Sequence, residues 1–490
     1  MWFGLGAVAE PMAPRAEFRG PSSERRIRIR AISAPLVLVG VLVVVAGAGF
    51  AMDAALRWDH FETNAFDLGF FDQIIYNTLH GRPGQTSFIS YNFFGQHFEP
   101  ILALFLLPYA LGASPLFLTL TQAVIAALAA VPLHFAARRF GAAHWVAGVA
   151  AALYLANPYV HRGVNFDFHP EVMVALPAFA AAWAIAAGRG RLAMALALAP
   201  LLFKEDASFV SLALAGLMWS RGMRPEAKRV AGFAALWAVV VVAVVLPLAR
   251  HGETSDLVLR YGHLVNATSQ RALITGLLSH PWAPFVELLS PASLWTAALF
   301  LAVSAPCALL RPRLLWLLIP GLAIALLAQH GAQKELGLHY SANLLAAATV
   351  LSLPGFALLR GRWRFALTVP AATCVLGFFA LSPYSPFEER GSTPSEAHRA
   401  ALAAAIALIP GDDQVRVSAQ SGILPRLSQR DNIHEFPARA LDSQWVIVDR
   451  YGHVSAASRA YGYDGHLAIV RASKQLVFDQ DGVQVYRGRQ

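Results

Sequence analysis

Apolar runs of near-membrane-spanning length recur along this chain from residue 34 to residue 382, and any fold it adopts must find a solvent for them. A helix needs about 20 residues to cross a bilayer core. Runs of that order occupy residues 34–52, 115–137, 143–161, 168–187, 229–249, 291–310, 314–329, 340–359 and 364–382. Residues 192–203 and 207–220 are shorter and flank Lys204-Glu205-Asp206 like the arms of a hairpin. The pattern predicts an α-helical polytopic membrane protein with about 11 spans. Charged residues make up 14% of the chain, against about 25% in ordinary globular domains. Mean hydropathy is +0.49, so most of the chain belongs in a bilayer. Residues 34–52 are too long for a removable signal peptide and read as an uncleaved anchor.

The charges orient these spans. With the amino terminus placed in the cytoplasm, the inner segments are 1–33, Arg138-Arg139, Arg189 to Arg191, 220–229, Arg311 to Arg313 and Arg360 to Arg364. They hold 19 of the 39 Lys and Arg residues and four acids, whereas the outer connections before residue 383 hold eight basic residues and 14 acids. This asymmetry follows the positive-inside rule and predicts a cell (inner or plasma) membrane protein. It also excludes nucleic acid as a partner, because the basic residues are scattered over turns rather than gathered in a patch. Cys307 and Cys374 fall in apolar runs and offer neither a disulfide framework nor a zinc site.

Three regions follow: a basic cytoplasmic tail over 1–33, a transmembrane domain over 34–382 with a large first outer loop at 53–99, and an extracytoplasmic α/β domain over 383–490. In the last, Thr393-Pro394-Ser395-Glu396 reads as a capping box opening a helix to about Ile409. Strand-like runs follow at 415–418, 445–449 and 467–470, and a hairpin at 475–478 and 483–486 turns across Asp479-Gln480-Asp481-Gly482.

Parity of the spans puts four polar clusters on the outer side. The first loop carries Asp67, Asp72, His97 and Glu99. Asp167, His169 and Glu171 stand at the mouth of one span, Lys204, Glu205 and Asp206 at the hairpin tip, and His339 and Tyr340 at the start of another span. Ionisable groups beside a membrane are costly and call for a reason. A carboxylate in an outward cavity can act as a general base toward a hydroxyl acceptor. Lys204 can pair with a phosphate while Glu205 and Asp206 orient it, and the histidines can donate to sugar or phosphate oxygens. Interleaved aromatics such as Phe66, Phe70, Phe71 and Phe166 suit an isoprenoid or a sugar face.

Four motifs carry a resemblance: FDLGFFDQIIYNTLHG, GQHFEPILALFLLPYAL, FDFHPE and KEDAS. They resemble a family of prokaryotic predicted multi-pass membrane proteins of unknown function. That family is similar to the GT-C superfamily of glycosyltransferases, which includes dolichyl-phosphate-mannose protein mannosyltransferases and aminoarabinose transferases. The resemblance spans residues 34 to about 450 and implies a GT-C-like fold. It also implies a catalytic or acceptor-orienting acid in the first outer loop, where Asp67 falls. Asp67, Gly81, His97 and Pro100 match the family's order of acid, helix-ending glycine and His-x-x-Pro-like turn. The mannosyltransferases usually place a second acid directly after the first. Leu68 stands there here, which keeps Asp72 as a second catalytic candidate.

The sequence therefore predicts an integral-membrane glycosyltransferase that moves a sugar from a polyprenyl-phosphate donor to an envelope glycan, lipid or protein acceptor, surrounded by membrane lipids. Catalysis falls to Asp67 and Asp72, and substrate binding to His97, Glu99, Asp167, His169, Glu171, Lys204, Glu205, Asp206, His339 and Tyr340. The alternative is a multi-pass transporter or lipid flippase for an envelope precursor. No cofactor is expected. A divalent metal shared by His97, Glu99, His169 and Glu171 stays open, although no tight His/Glu spacing marks one. Each group also has a purely structural explanation: Asp67 and Asp72 as helix caps or partners of Arg57 and Arg82, the 167–171 acids as helix-start residues, and Lys204-Glu205-Asp206 as a self-neutralising turn.

Overall fold

No proline interrupts the chain between Pro35 and Pro83, and the first apolar run forms one unbroken 26-residue helix, Ala34–Asp59. The computed structural model containing it describes residues 34–359, 367–388 and 393–489. The basic tail 1–33 and the Arg360 to Arg364 cluster lie outside the described residues. Val39, Val43, Phe50 and Ala54 bury one face of this helix. Val37, Leu38, Val41, Val44 and Val45 stay exposed, Val44 by 69%. An apolar stripe of that extent on a helix this long suits lipid rather than water.

The helix packs on Leu116–Leu128 through small residues. A Cβ on Gly47 would sit 3.3 Å from the Ala127 methyl, and Ala123, Ala126 and Ala127 are buried. Small side chains allow helix axes to approach closely where lipid supplies no hydrophobic drive.

Among the described residues three helices are long and apolar enough to cross a membrane: Ala34–Asp59, Leu116–Phe140 and Arg224–Arg250. A fourth is available if Trp282–Leu288 and Pro291–Ser304, bent by 60°, count as one. The other expected crossings fall on shorter apolar helices, among them His144–Leu155, Pro170–Ala186, Ala342–Phe356 and Thr368–Leu381. Proline accounts for much of the shortening. Pro170, Pro200, Pro306 and Pro312 each sit at the start of a 3-10 segment, because the ring removes a backbone donor and interrupts regular α-helix.

Ala342–Phe356 is the axis of the helical body, buried almost all the way round. Near its end Gly355 lies against the backbone of the Pro306–Leu310 turn, where an added Cβ would fall 1.9 Å from the Cys307 carbonyl oxygen. Cys307 and Cys374 are buried free thiols.

The carboxy-terminal region forms a five-stranded sheet in the order β2-β1-β3-β5-β4. Its strands are β1 Val417–Ala419, β2 Ile433–Glu435, β3 Trp445–Asp449, β4 Lys474–Gln480 and β5 Val483–Gly488. β1 lies parallel to β2 and β3, and β5 runs antiparallel to β3 and β4. The β4–β5 turn is Asp481-Gly482, both at positive φ, as a two-residue hairpin turn demands. Two local expectations need correction. The run 467–470 belongs to the helix Tyr463–Ser473, which buries Tyr463, Leu467 and Val470 at helical spacing. The cap of Glu396–Ala407 is Ser395, whose hydroxyl accepts from the His398 N–H at 3.1 Å, rather than Thr393.

The sheet region is docked onto the first loop. The Arg426 guanidinium lies 3.7 Å from the Phe61 ring centroid and 4.3 Å from that of Trp58. The Gln73 amide donates to the Arg430 carbonyl at 2.9 Å, and the Ala65 N–H donates to Ser421 Oγ at 3.1 Å.

Gly355→Ala forces backbone against backbone and is expected to cost about 1–3 kcal/mol. Gly216→Ala meets only the end of the Leu317 side chain and should cost less. Thermal unfolding of the two variants in detergent compares them, and equal midpoints would refute the close approach at Cys307.

Candidate functional site

Three chain breaks bring the polar clusters together. Pro170 opens a 3-10 turn, Pro170–Val174, that carries Glu171 in its first turn. The chain breaks again after Ala199–Leu202, leaving Lys204 extended before the short turn Glu205–Ala207 and the helix Ser208–Ser220. His339 precedes Ala342–Phe356. At these ends Lys204 Nζ donates to Glu171 Oε1 at 2.9 Å, with side chains 10% and 4% exposed. His339 Nε2 lies 3.7 Å from the same oxygen.

The rings of His339 and His169 stack at 3.5 Å between centroids, 10° from parallel, with Phe166 stacked beside both. Beyond the stack, His169 Nε2 is 3.5 Å from Asp67 Oδ1. His97 Nδ1 lies 2.8 Å from Glu205 Oε1, and the Phe98 N–H donates to the other oxygen at 3.1 Å. Asn343 donates to Asp206 at 2.9 Å. Tyr340 tilts against His339 at 4.2 Å and faces the Arg260 guanidinium.

Asp67, His169, His339, Glu171 and Lys204 thus form a continuous chain of contacts. Asp67 is its most open acid, with a side chain 20% exposed against 4% for Glu171. Burial, with the Asp167 carboxylate nearby, pushes Asp67 up to about 8; Arg57 pulls the other way and Glu435 adds to the rise. Arg57 pairs with Asp167 at 3.0 Å rather than with Asp67.

Asp72 is placed differently. It is fully buried and accepts from the hydroxyls of Tyr109 at 2.6 Å and Ser428 at 2.7 Å, and from the Gln429 amide at 3.2 Å. Burial raises it to about 6, and those hydrogen bonds limit the rise. None of these partners belongs to the polar chain, and two of them come from the sheet region. Asp72 joins the first loop to that region.

Several buried atoms of the centre have no hydrogen-bond partner: both Glu99 carboxylate oxygens, Glu171 Oε2, His169 Nδ1, His339 Nδ1 and Asn343 Oδ1. Burial and the Glu171 charge push Glu99 well above the usual carboxylate range. A buried polar group left unsatisfied costs about 1–3 kcal/mol, so this concentration of them marks a place for a polar ligand. Among the described residues no group of three or more His, Cys, Asp or Glu has the geometry to hold a metal ion.

Some residues of the centre lie outside the sequence-derived set. Gln122 accepts from the His169 N–H and donates to the Asp167 carbonyl, both at 2.7 Å. A glutamine inside an apolar run was a legible signal. Asn343 was equally legible. Glu435 reaches the neighbourhood of Asp67 from β2 and had no local signature.

Residues 57–463 match the model of a family described as "Predicted membrane protein (DUF2079)". No curated protein matches the chain significantly. Two solved structures of the Archaeoglobus fulgidus oligosaccharyltransferase are similar to it. One is a complex with Zn and sulfate, at 12% identity and TM-score 0.40, covering 91% of this chain and 73% of that one. The other is tethered with an acceptor peptide containing the NVT sequon via a disulfide bond, at 14% identity and TM-score 0.39, covering 92% and 74%.

A free aspartate titrates near 3.9. With Asp67 and Asp72 raised to about 8 and about 6, the folded protein holds protons that the unfolded chain has lost, so stability falls as pH rises through each window. Asp67→Asn should flatten the loss of thermal stability between about pH 4 and 8, and Asp72→Asn only the part below about pH 6. Unfolding midpoints across that range, unchanged in slope for Asp67→Asn, would contradict the burial assigned to it.

Proposed function

The chain belongs to this DUF2079 family of predicted membrane proteins, and from the geometry of its polar centre we propose that it is an integral-membrane glycosyltransferase of GT-C type. It takes a sugar from a polyprenyl-phosphate donor and passes it to an envelope glycan, lipid or protein acceptor at the outer face of the cell membrane. The observation that carries the reading is the contact chain from the rim acid Asp67 through His169 and His339 to the Glu171–Lys204 pair. An acid with a pKa near the working pH is suited to proton transfer, and Asp67 is raised to about 8.

In this reading the acceptor oxygen attacks the anomeric carbon as the bond to the phosphate oxygen breaks. Asp67 takes the acceptor proton and the polyprenyl phosphate leaves. His169, His339 and Lys204 hold the phosphate side of the donor. His97, Glu99, Asp167, Glu205, Asp206 and Tyr340 shape and support the site. Asp72 is given a positioning role, because its carboxylate is engaged by Tyr109, Ser428 and Gln429.

A second reading has one observation in its favour. Lys204 to Asp206 lie at a break between helical segments, the kind of interruption on which transporters build substrate sites. A transporter or lipid flippase would move a labelled polyprenyl-phosphate sugar across vesicles without consuming it.

Purified protein incubated with a panel of polyprenyl-phosphate sugars and envelope acceptors should turn one donor over. Asp67→Asn should lower turnover at least about 100-fold, the usual scale for loss of a general base, while leaving the fold intact. Full turnover in Asp67→Asn removes the proposed base, and translocation without turnover favours the transporter. Orientation is checked separately by reporter fusions, expected cytoplasmic at Gly141 and Gly190 and exported at Gly391.

A further inference from the structure

Two helices that begin at the polar centre end together at a second site. Ser208–Ser220 starts beside Lys204 to Asp206 and ends at Arg221, and Ala342–Phe356 starts beside His339 and ends before Ala357. Their 13 and 15 residues, at about 1.5 Å of rise each, put the far ends about 20 Å from the centre. There Phe140, Ser220, Arg221, Arg311, Arg313 and Pro354 line a cleft of about 660 Å³. That volume falls within the roughly 300–1,000 Å³ of small-molecule sites.

Among the described residues no acid lines this cleft. Arg221 has a local reason to be there, since its guanidinium lies 5.4 Å from the Phe140 ring centroid at the end of a helix. Arg311 and Arg313 fit the positive-inside bias of the sequence, but among the described residues neither has a ring contact like that of Arg221. They are exposed, and among the described residues neither they nor Arg221 has an ion-pair partner. Three guanidinium groups on one cleft repel each other, and an anion with several oxygens relieves that repulsion while accepting bidentate hydrogen bonds from each fork. Leu310, Pro312, Leu314 and Ala357 complete the lining among the described residues, so the walls offer apolar contact as well as charge. Basic clefts of this make-up between membrane helices suit phosphate head groups.

We propose that this cleft is a second binding site, separate from the polar centre, for a phosphate-bearing ligand held by Arg221, Arg311 and Arg313. The shared chemistry is that of a phosphate group, supplied by a lipid head group or by a soluble phosphate. The proposal does not depend on the transferase reading.

The test uses the full chain in phosphatidylcholine nanodiscs, with phosphatidylglycerol or inorganic pyrophosphate as probe and native mass spectrometry as readout. Wild type should retain one of the two probes. Retention of phosphatidylglycerol unaffected by pyrophosphate identifies a lipid source, and pyrophosphate binding without lipid preference identifies a soluble one. The double substitution Arg311→Gln with Arg313→Gln should weaken retention at least tenfold, and Arg311→Lys with Arg313→Lys, which keeps the charges but loses the planar forks, should fall between that variant and wild type. Ser220→Glu, which adds an acid to the wall while leaving both arginines in place, should weaken retention too and guards against a double variant that fails to fold. Wild type binding neither probe above background, or the glutamine variant and Ser220→Glu both binding as tightly as wild type, overturns the proposal.

Discussion

The buried ion pair between Lys204 and Glu171 is the interaction around which the polar centre is arranged. Taking each charge out of water costs several kcal/mol, repaid only where the pair is well placed and its remaining groups are satisfied. Here Nζ and Oε1 stand 2.9 Å apart, while Glu171 Oε2 stays without a hydrogen-bond partner. The pair ties the turn after Ala199–Leu202 to the start of Pro170–Ala186, two segments that would otherwise each expose a charge to an apolar interior. Removing one partner would leave the other buried alone, a loss of about 3–5 kcal/mol. His339 approaches the same Glu171 oxygen, His169 stacks on His339, and Asp67 faces His169. The position of the rim acid is therefore inherited from a pair deeper in the helical body.

The other constraint on Asp67 comes from the sheet region. Asp67 lies in the π-helical turn Ala65–Gly69 and Asp72 in the α-helix Phe70–Leu79 that follows it, and the two point to different partners. One carboxylate faces His169 and the other faces Tyr109, Ser428 and Gln429. Gly69 lies between them, where an added Cβ would fall 2.8 Å from Leu424 of the sheet region. The segment is thus clamped from both sides. The sheet region acts on the centre by fixing this segment and by bringing Glu435 near Asp67.

Much of this was legible before any coordinates. Composition and the apolar runs identified a helical membrane protein, and the Asp-Gly turn marked the terminal hairpin. Span lengths were not legible, because a hydropathy run does not reveal where Pro170, Pro200 or Pro312 will convert α-helix to a 3-10 turn. The residue types of the centre could be read from their cost beside lipid. Their pairing could not. Lys204 looked available to a phosphate, and only the fold shows it engaged by Glu171. The resemblance favoured Asp67 and kept Asp72 as a second candidate, and nothing local to the first loop announces that Ser428 and Gln429 engage Asp72 from more than 350 residues away.

Helix direction links the two ends of the molecule. Pro170–Ala186, Ser208–Ser220 and Ala342–Phe356 all begin at the polar centre and pack against one another. Their partly positive amino ends therefore converge where Glu171, Glu205 and Asp206 stand, each in a first turn. Their partly negative carboxyl ends run the other way, and the Arg221 cleft lies at the ends of two of them. Aligned helix dipoles favour acids at one end and guanidinium groups at the other. The opposite charge at the two ends of this helix group thus has an internal cause. Each dipole contribution is about 0.3–1 kcal/mol at an exposed end and reaches only the last turn, so it accounts for Arg221 as a C-terminal residue. It does not extend to Arg311 and Arg313, which belong to the 3-10 connection Pro306 to Leu318 rather than to a helix end.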